Sequence, residues 1–523
     1  MEEFDVVIVG SGAAGMTAAL TAAHHGLTSL VVEKADVYGG STARSGGGVW
    51  APGPEAAEYL EHVSGAEVAP ERRHALLEHG PAMLAFVEDH TPLEFARVPG
   101  YPDYHPEAAG GRADGRTREP RPLDARKAGP DLAALAAPYR AAPSGMAVTA
   151  ADYRWLSLGL RHPRSVLTIA RLAADRLRRR RLTMGQALAA GLRAGLRTAG
   201  VEVRLGTPMT GLLTENDRVT GIRCGDLVIP ARRGVLLAGG GFERNERMRR
   251  EHQEVGSAWT VGATGNTGDG IRAGAELGAA LDLMDEAWWG PSIPLTGGAY
   301  FCLAERNLPG SLIVDGTGRR FANEAAPYVD AVHVMLGRVD GVKHLPAWLV
   351  TDQAYRDRYL FAGRGPRTPL PRRWFDAGVA HRAGTLAGLA ERIGVPPEAL
   401  TATVERFNGF TDRDEDFGRG DSAYDRYYGD PRQRPNPCLG PLHKPPFYAF
   451  ALVPGDLGTK GGLRTDERAR VLRPGGAAIP GLYAAGNTGA SVMGRGYAGA
   501  GATLGPAMTF GYLAALDLAG LLP

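Results

Sequence analysis

A chain of 523 residues is too long for one ordinary core, so two domains or one large domain with an insertion are expected. A hydrophobic content of 44% excludes disorder, and a formal net charge of +2 gives no reason to expect a nucleic-acid partner. Cys224, Cys302 and Cys438 are widely spaced and form no CxxC pair, so neither a zinc site nor a disulfide framework is expected.

The chain opens Met1-Glu2-Glu3-Phe4-Asp5, without a basic leader, and holds no uninterrupted apolar run of roughly 18 residues. A cytoplasmic protein is expected. The short apolar run FDVVIV reads as a buried parallel strand over Phe4–Val9, ending at Gly10. An Ala-rich helix is expected over residues 17–25, and SLVV gives a second strand, Ser29–Val32. This βαβ unit begins a doubly wound sheet.

Gly10-Ser11-Gly12-Ala13-Ala14-Gly15 fits G-x-G-x-x-G between that strand and helix. Gly10 allows the tight turn, Gly12 lets the backbone approach a pyrophosphate, and Gly15 permits close helix–strand packing. The helix N-terminus then offers free N–H groups and a favourable dipole to the phosphates. Glu33 stands eighteen residues after Gly15, close to the spacing of about 20 expected of the acid that holds a ribose hydroxyl. Lys34 follows it. A second glycine-rich stretch comes next: Gly39, Gly40, Ser41, Thr42, Ser45, Gly46, Gly47 and Gly48. Its amides and hydroxyls suit a long extended cofactor, which favours FAD over NAD.

Residues 54–90 read as helical. Residues 98–145 are rich in Pro, Gly and charge and read as a long ordered excursion. Helices return over 164–200, with Arg178-Arg179-Arg180-Arg181 as a solvated face that implies at most peripheral membrane contact. Residues 201–237 read as strands with a turn at 215–217, followed by Gly239 and Gly240. Asn266-Thr267-Gly268-Asp269-Gly270 and Gly486-Asn487 are weaker cofactor candidates, or plain turns; Asp269, Gly486 and Asn487 are the residues in question. Residues 290–450 have the mixed character of an inserted substrate domain. Ala502-Thr503-Leu504 is expected to start a helix aimed at the flavin, with Ala502 and Leu504 at the cofactor.

These residues resemble a known group. GSGAAG, the acid and GGSTARSGGG together are similar to the fumarate reductase and succinate dehydrogenase flavoprotein superfamily, as are RFANE (320–324) and TKGG (459–462). The closer resemblance, from end to end, is to the 3-ketosteroid Δ1-dehydrogenases. It is carried by VPGYPDYHPE, AWTVGATGNTGDG, LDLMDEAWWGP, AYDRYYGDP, VPGDLGTKGG and GPAMTFGYLAA.

The resemblance implies an α/β protein, with a Rossmann-like FAD-binding domain made of residues 1–288 and 452–523 and an inserted α+β catalytic domain, residues 289–451. It implies a 3-ketosteroid substrate and an electron acceptor such as a quinone. It also implies roles. Tyr497 and the Gly501 amide hold the carbonyl at carbon 3, Tyr328 takes the proton from carbon 2, Tyr104 assists it, and the flavin takes the hydride from carbon 1. The chemistry stands without the family. A pair of donors on the carbonyl stabilises the developing enolate, and a phenol with a pKa near 10 needs a neighbour that favours its phenolate. Trp288 and Trp289 are candidate pocket liners, or core residues.

Tyr328 occupies the place where soluble fumarate reductases carry an arginine acid, and tyrosine suits a neutral ketone where arginine suits a dicarboxylate. GGSTARSGGG lacks the flavin-linking histidine of succinate dehydrogenases, so non-covalent FAD is expected. The family's usual Pro-Gly-Pro-Gly loop reads Ala498-Gly499-Ala500-Gly501 here, which leaves that loop freer as far as φ is concerned. Other ketone desaturases of this fold, such as a Δ4-(5α)-dehydrogenase, and an enoate reductase stay open at this point.

Overall fold

The computed structural model describes residues 3–140, 147–159, 162–178 and 181–522. Arg179 and Arg180 of the basic run and residues 141–145 of the irregular excursion lie outside them.

The run Phe4–Val9 is the pivot of the first sheet. Its valines and isoleucine are shielded on both faces, which is why the run lacks alternation. It pairs in parallel with Ser29–Val32 on one side and with Leu227–Leu237 on the other, Val7 lying opposite both Leu30 and Val235. Beyond Ser29–Val32 comes Glu202–Arg204, again parallel. Beyond Leu227–Leu237 come Ala478–Ala484, parallel, and Arg470–Leu472, antiparallel. The strand order reverses at the first strand, so a crevice opens beyond its carboxyl end.

The first helix spans Ala13–His24 and so starts earlier than expected, because Gly12 is extended and the alanines after it are strong helix formers. The C-terminal helix Leu504–Ala519 packs across it. At Gly511 a Cβ would sit 2.4 Å from the Ala14 carbonyl oxygen, so only glycine allows this approach. Thr503 stands at the N-cap position of the C-terminal helix without a side-chain capping bond, and Ala502 lies in the turn before it; the helix begins at Leu504, two residues later than the sequence suggests.

The expected helical stretch 54–90 holds Ala57–Ser64 and Pro70–His90, parted at Gly65. The stretch 164–200 holds Pro163–Arg178 and Met184–Thr198. The expected turn falls at Asn216 and Asp217, both left-handed (φ 49° and 62°), joining Gly211–Glu215 to Arg218–Cys224. Among the described residues no helix is long and apolar enough to cross a membrane.

The second sheet runs in the order Tyr300–Phe301, Ala287–Ile293, Phe447–Thr459, Ala347–Asp352, Ser311–Asp315, every neighbouring pair antiparallel. Its outer limits are Ala287 and Thr459. The borders expected after 288 and after 451 thus fall inside strands, where no change of composition could mark them.

Candidate active site

The three tyrosines singled out in the sequence meet. Tyr104 lies in the irregular excursion, Tyr328 is the first residue of the helix Tyr328–Met335, and Tyr497 sits in the loop before the C-terminal helix. The Tyr104 hydroxyl donates to the Tyr328 hydroxyl at 2.9 Å. The Tyr497 ring centroid lies 5.1 Å from Tyr104 and 5.5 Å from Tyr328. Tyr497 Oη also lies 3.0 Å from the Thr503 hydroxyl. All three phenols are buried, and burial pushes each above its ordinary range. For Tyr328 the hydrogen bond from Tyr104 works the other way, because it stabilises the phenolate.

Local structure explains why Tyr328 stands where it does. Arg320 of the RFANE motif is nearly fully buried between Glu324 and Asp414, with 2.7 Å contacts to each. Asn323 donates to Asp425 at 2.9 Å, which ties this segment to the one carrying Tyr424. Arg306 and Asn307 donate to the carbonyls of Ala326 and Ala325, just ahead of the helix.

The loop 498–501 differs from the sequence reading. Its φ angles are less restricted without proline, yet tertiary hydrogen bonds fix it. Tyr59 donates to the Ala498 carbonyl at 2.6 Å and Thr117 to that of Ala500 at 2.9 Å. The Tyr104 amide also donates to Ala498, at 3.1 Å, so the loop and Tyr104 are joined directly. Gly501 has φ +91°, and a Cβ there would lie 2.4 Å from the Gly48 carbonyl carbon. The glycine-rich stretch ending at Gly48 is thereby brought against the tyrosines.

Trp288 and Trp289 point to opposite faces of their strand, as period-two geometry requires. The Trp288 ring lies tilted against Tyr497, 4.7 Å between centroids, and donates to Asn487 at 3.1 Å. Trp289 turns away and donates to Glu286. Of the two, only Trp288 belongs to the site. Sequence reasoning missed Tyr424, whose ring lies 4.7 Å from Tyr104, Phe301 at 5.0 Å from Tyr328, and Thr503. Tyr424 lies in AYDRYYGDP, a segment that signals the family without saying which tyrosine points inward.

The dinucleotide residues also converge. Gly10 has φ +110°, and a Cβ there would strike the Ala238 carbonyl at 2.4 Å; at Gly15 it would strike the Gly10 carbonyl at 2.0 Å. Gly12 is different, since a Cβ would meet only Thr42 Oγ1, at 3.6 Å. Glycine at 12 is therefore not required by the protein's own packing. Thr42 accepts from the Ala13 amide at 2.9 Å, while the Ala14 and Gly15 amides have no acceptor among the described residues. Glu33 accepts from the Ser11 amide (3.1 Å), the Ser11 hydroxyl (2.7 Å) and the Ala35 amide (3.0 Å), so it shapes the first turn. Ser11 in turn accepts from the Gly39 amide. Lys34 and Asp269 pair with each other at 2.5 Å. Ser41 accepts from Asn266, and Ser45 from Gly47. Around Gly40 and Gly46 an added Cβ would meet nothing within 4 Å; Gly239 is nearly as open, while Gly240 lies against Asn266. Gly486, Asn487 and Ala502 border one cavity of about 30 Å³ together with Trp288 and Thr503. Open glycines and unused helix-end amides fit an extended dinucleotide.

A model of the FAD binding domain family matches residues 5–504. The chain is 54% identical to a 3-oxosteroid 1-dehydrogenase of Mycobacterium tuberculosis, over 99% of each chain. It is 52% identical to one of Mycolicibacterium smegmatis, over 99% of this chain and 97% of the other. It superposes with a TM-score of 0.93, at 41% identity, on 3-ketosteroid Δ1-dehydrogenase from Sterolibacterium denitrificans in complex with 1,4-androstadiene-3,17-dione, covering 99% of this chain and 100% of that one.

Proposed function

The chain belongs to the 3-oxosteroid 1-dehydrogenase family of FAD-binding proteins, and from that premise we propose that it introduces a carbon 1–carbon 2 double bond into the A ring of 3-ketosteroids with non-covalent FAD. The observation that carries this reading is the Tyr104–Tyr328 hydrogen bond at 2.9 Å with Tyr497 packed beside both rings.

Tyr497 and the Gly501 amide donate to the carbonyl at carbon 3. The amide is available for this, since it donates to no acceptor among the described residues. Two donors aimed at that oxygen acidify the hydrogens of carbon 2. Tyr328 takes one of them as a proton, and Tyr104 stabilises its phenolate by donating to it. Gly10, Ser11, Gly12, Ala13, Ala14, Gly15 and Glu33 form the turn for the FAD pyrophosphate and ribose, and residues 39–48 run beside the rest. When bound, FAD would supply the acceptor for the hydride from carbon 1, and an external acceptor such as a quinone would take up the electrons. The first sheet is read as the Rossmann-like FAD-binding domain, the second as the inserted α+β catalytic domain. A cytoplasmic location completes the proposal.

A 4-ene-3-ketosteroid incubated with the enzyme and an artificial electron acceptor is expected to give the 1,4-dien-3-one, identified by mass and by NMR of the A ring. Unsaturation at another position, or reduction of fumarate without steroid turnover, would overturn the reading.

A further inference from the structure

Glu286 lies two residues before Trp288, is fully buried, and has no part in the chemistry above. Donors from two segments besides its own surround its carboxylate. Its neighbour Trp289 donates at 3.2 Å, His333 Nε2 lies at 3.1 Å, Arg495 donates at 2.8 Å, and Arg338 donates as well. Burial alone would push this carboxyl up, but His333, Lys460 and Arg338 hold it down at about 2, so it stays ionised.

The origin of these partners is informative. His333 stands on the helix whose first residue is Tyr328. Arg495 comes two residues before Tyr497. Lys460, of the TKGG motif, is fully buried; its ammonium donates to the carbonyls of Arg495 (2.8 Å) and Gly496 (2.6 Å). The Lys460 amide donates to the Glu286 carbonyl at 3.0 Å. The ammonium also lies 4.8 Å from the Trp288 ring centroid, which itself stands 4.7 Å from Tyr497. One buried anion, with the lysine next to it, thus holds both the helix that starts with Tyr328 and the loop that carries Tyr497.

We propose that Glu286 is a positioning residue that sets Tyr328 and Tyr497 in register with each other, with Lys460 fixing the backbone ahead of Tyr497. The proposal rests on the reading of those two tyrosines as base and carbonyl donor. A reaction that needs the proton acceptor and the carbonyl donor on one substrate ring depends on their separation, and a displacement of about 1 Å costs on the order of 10²-fold in rate. A cluster that only stabilises the fold would lower the melting temperature and leave turnover per bound FAD unchanged.

The test compares Glu286→Gln, His333→Gln and their double variant, each purified with FAD. Turnover is counted per bound flavin, and steroid affinity is read from the flavin difference spectrum. Glu286→Gln should lose roughly 10–10²-fold in kcat while the steroid Kd moves by less than about threefold. His333→Gln should lose less, and the double variant no more than Glu286→Gln alone, because both cut the same tie. Glu286→Asp, which keeps the charge, should recover part of the loss. Wild-type kcat per flavin in both single variants, or losses that multiply in the double, would overturn the proposal. If Glu286→Gln yields no FAD-loaded protein, the kcat-against-Kd split of His333→Gln decides by itself. Tyr328→Phe serves as the control: normal turnover there would refute the tyrosine reading, and this inference with it, whereas an inactive Tyr328→Phe beside fully active Glu286 and His333 variants refutes the inference alone.

Discussion

In the proposed reaction Tyr328 has to give up a proton before it can take one. Its phenol is buried, which pushes its pKa well above the ordinary value of 10.0, and only the hydrogen bond from Tyr104 pulls clearly in the other direction. The sign of the pH dependence follows. Phenolate is the basic form, and its fraction grows as pH climbs toward a raised pKa, so proton removal from carbon 2 should accelerate across about pH 7 to 9 without levelling off. Loss of the carbon 2 label at a series of pH values would check this, and a flat profile would contradict it. Tyr497 has the simpler proposed role, that of a donor. Tyr497→Phe removes one hydrogen bond to the developing oxyanion and should cost about 10²–10³ in kcat, with FAD content intact. Steady-state turnover per flavin measures it. Tyr104, Tyr328 and Tyr497 could be named from the sequence because the family resemblance assigns a tyrosine to each of their positions. Tyr424, Phe301 and Thr503 could not, since their membership depends on which way a side chain turns after the chain has folded.

The first strand, its glycine turn and the first helix form the element most legible in the sequence. FDVVIV has no alternation because it is covered on both faces, and the glycines at 10 and 15 answer to clashes within the protein itself. Gly12 has no such clash, and in the proposed reading it answers to the pyrophosphate. The two kinds of glycine should therefore fail differently. Gly10→Ala forces φ +110° and a 2.4 Å contact on an L-residue, strain of about 1–3 kcal/mol or more, so it should lower the melting temperature and lose FAD together. Gly12→Ala has room on the protein side and should lose FAD while the apoprotein melts as the parent apoprotein does. Flavin absorbance per protein and thermal melts of both forms would decide; Gly12→Ala with full FAD would remove that residue from the pyrophosphate site. The start of the helix after Ala502 is harder to read, because Thr503, a favoured N-cap type, makes no side-chain capping bond here. The 498–501 loop was harder still. Tyr59 and Thr117, which hold it, lie hundreds of positions earlier in the chain.

At the scale of the whole molecule, the site is assembled from chain segments that meet only in the folded state, with 224 positions between Tyr104 and Tyr328. The structure holds two larger sheets, and the strands Ala287–Ile293 and Phe447–Thr459 run across the borders expected after 288 and after 451, where composition gives no mark. The same strand that carries the border places Trp288 against Tyr497 and Asn487. In the proposed reaction this arrangement separates the two hydrogens, so that one leaves as a proton to Tyr328 and the other as a hydride. Without an electron acceptor each enzyme can take only one hydride, whereas a proton can return to carbon 2 many times. The direct measurement is to hold an excess of 3-ketosteroid with the oxidised enzyme, anaerobically, in heavy water, and to follow deuterium at each carbon of the A ring. The account predicts deuterium at carbon 2 well beyond one equivalent per enzyme, far less at carbon 1, and loss of the exchange in Tyr328→Phe. Equal exchange at both carbons, or a reduced flavin with no exchange at carbon 2, would contradict it.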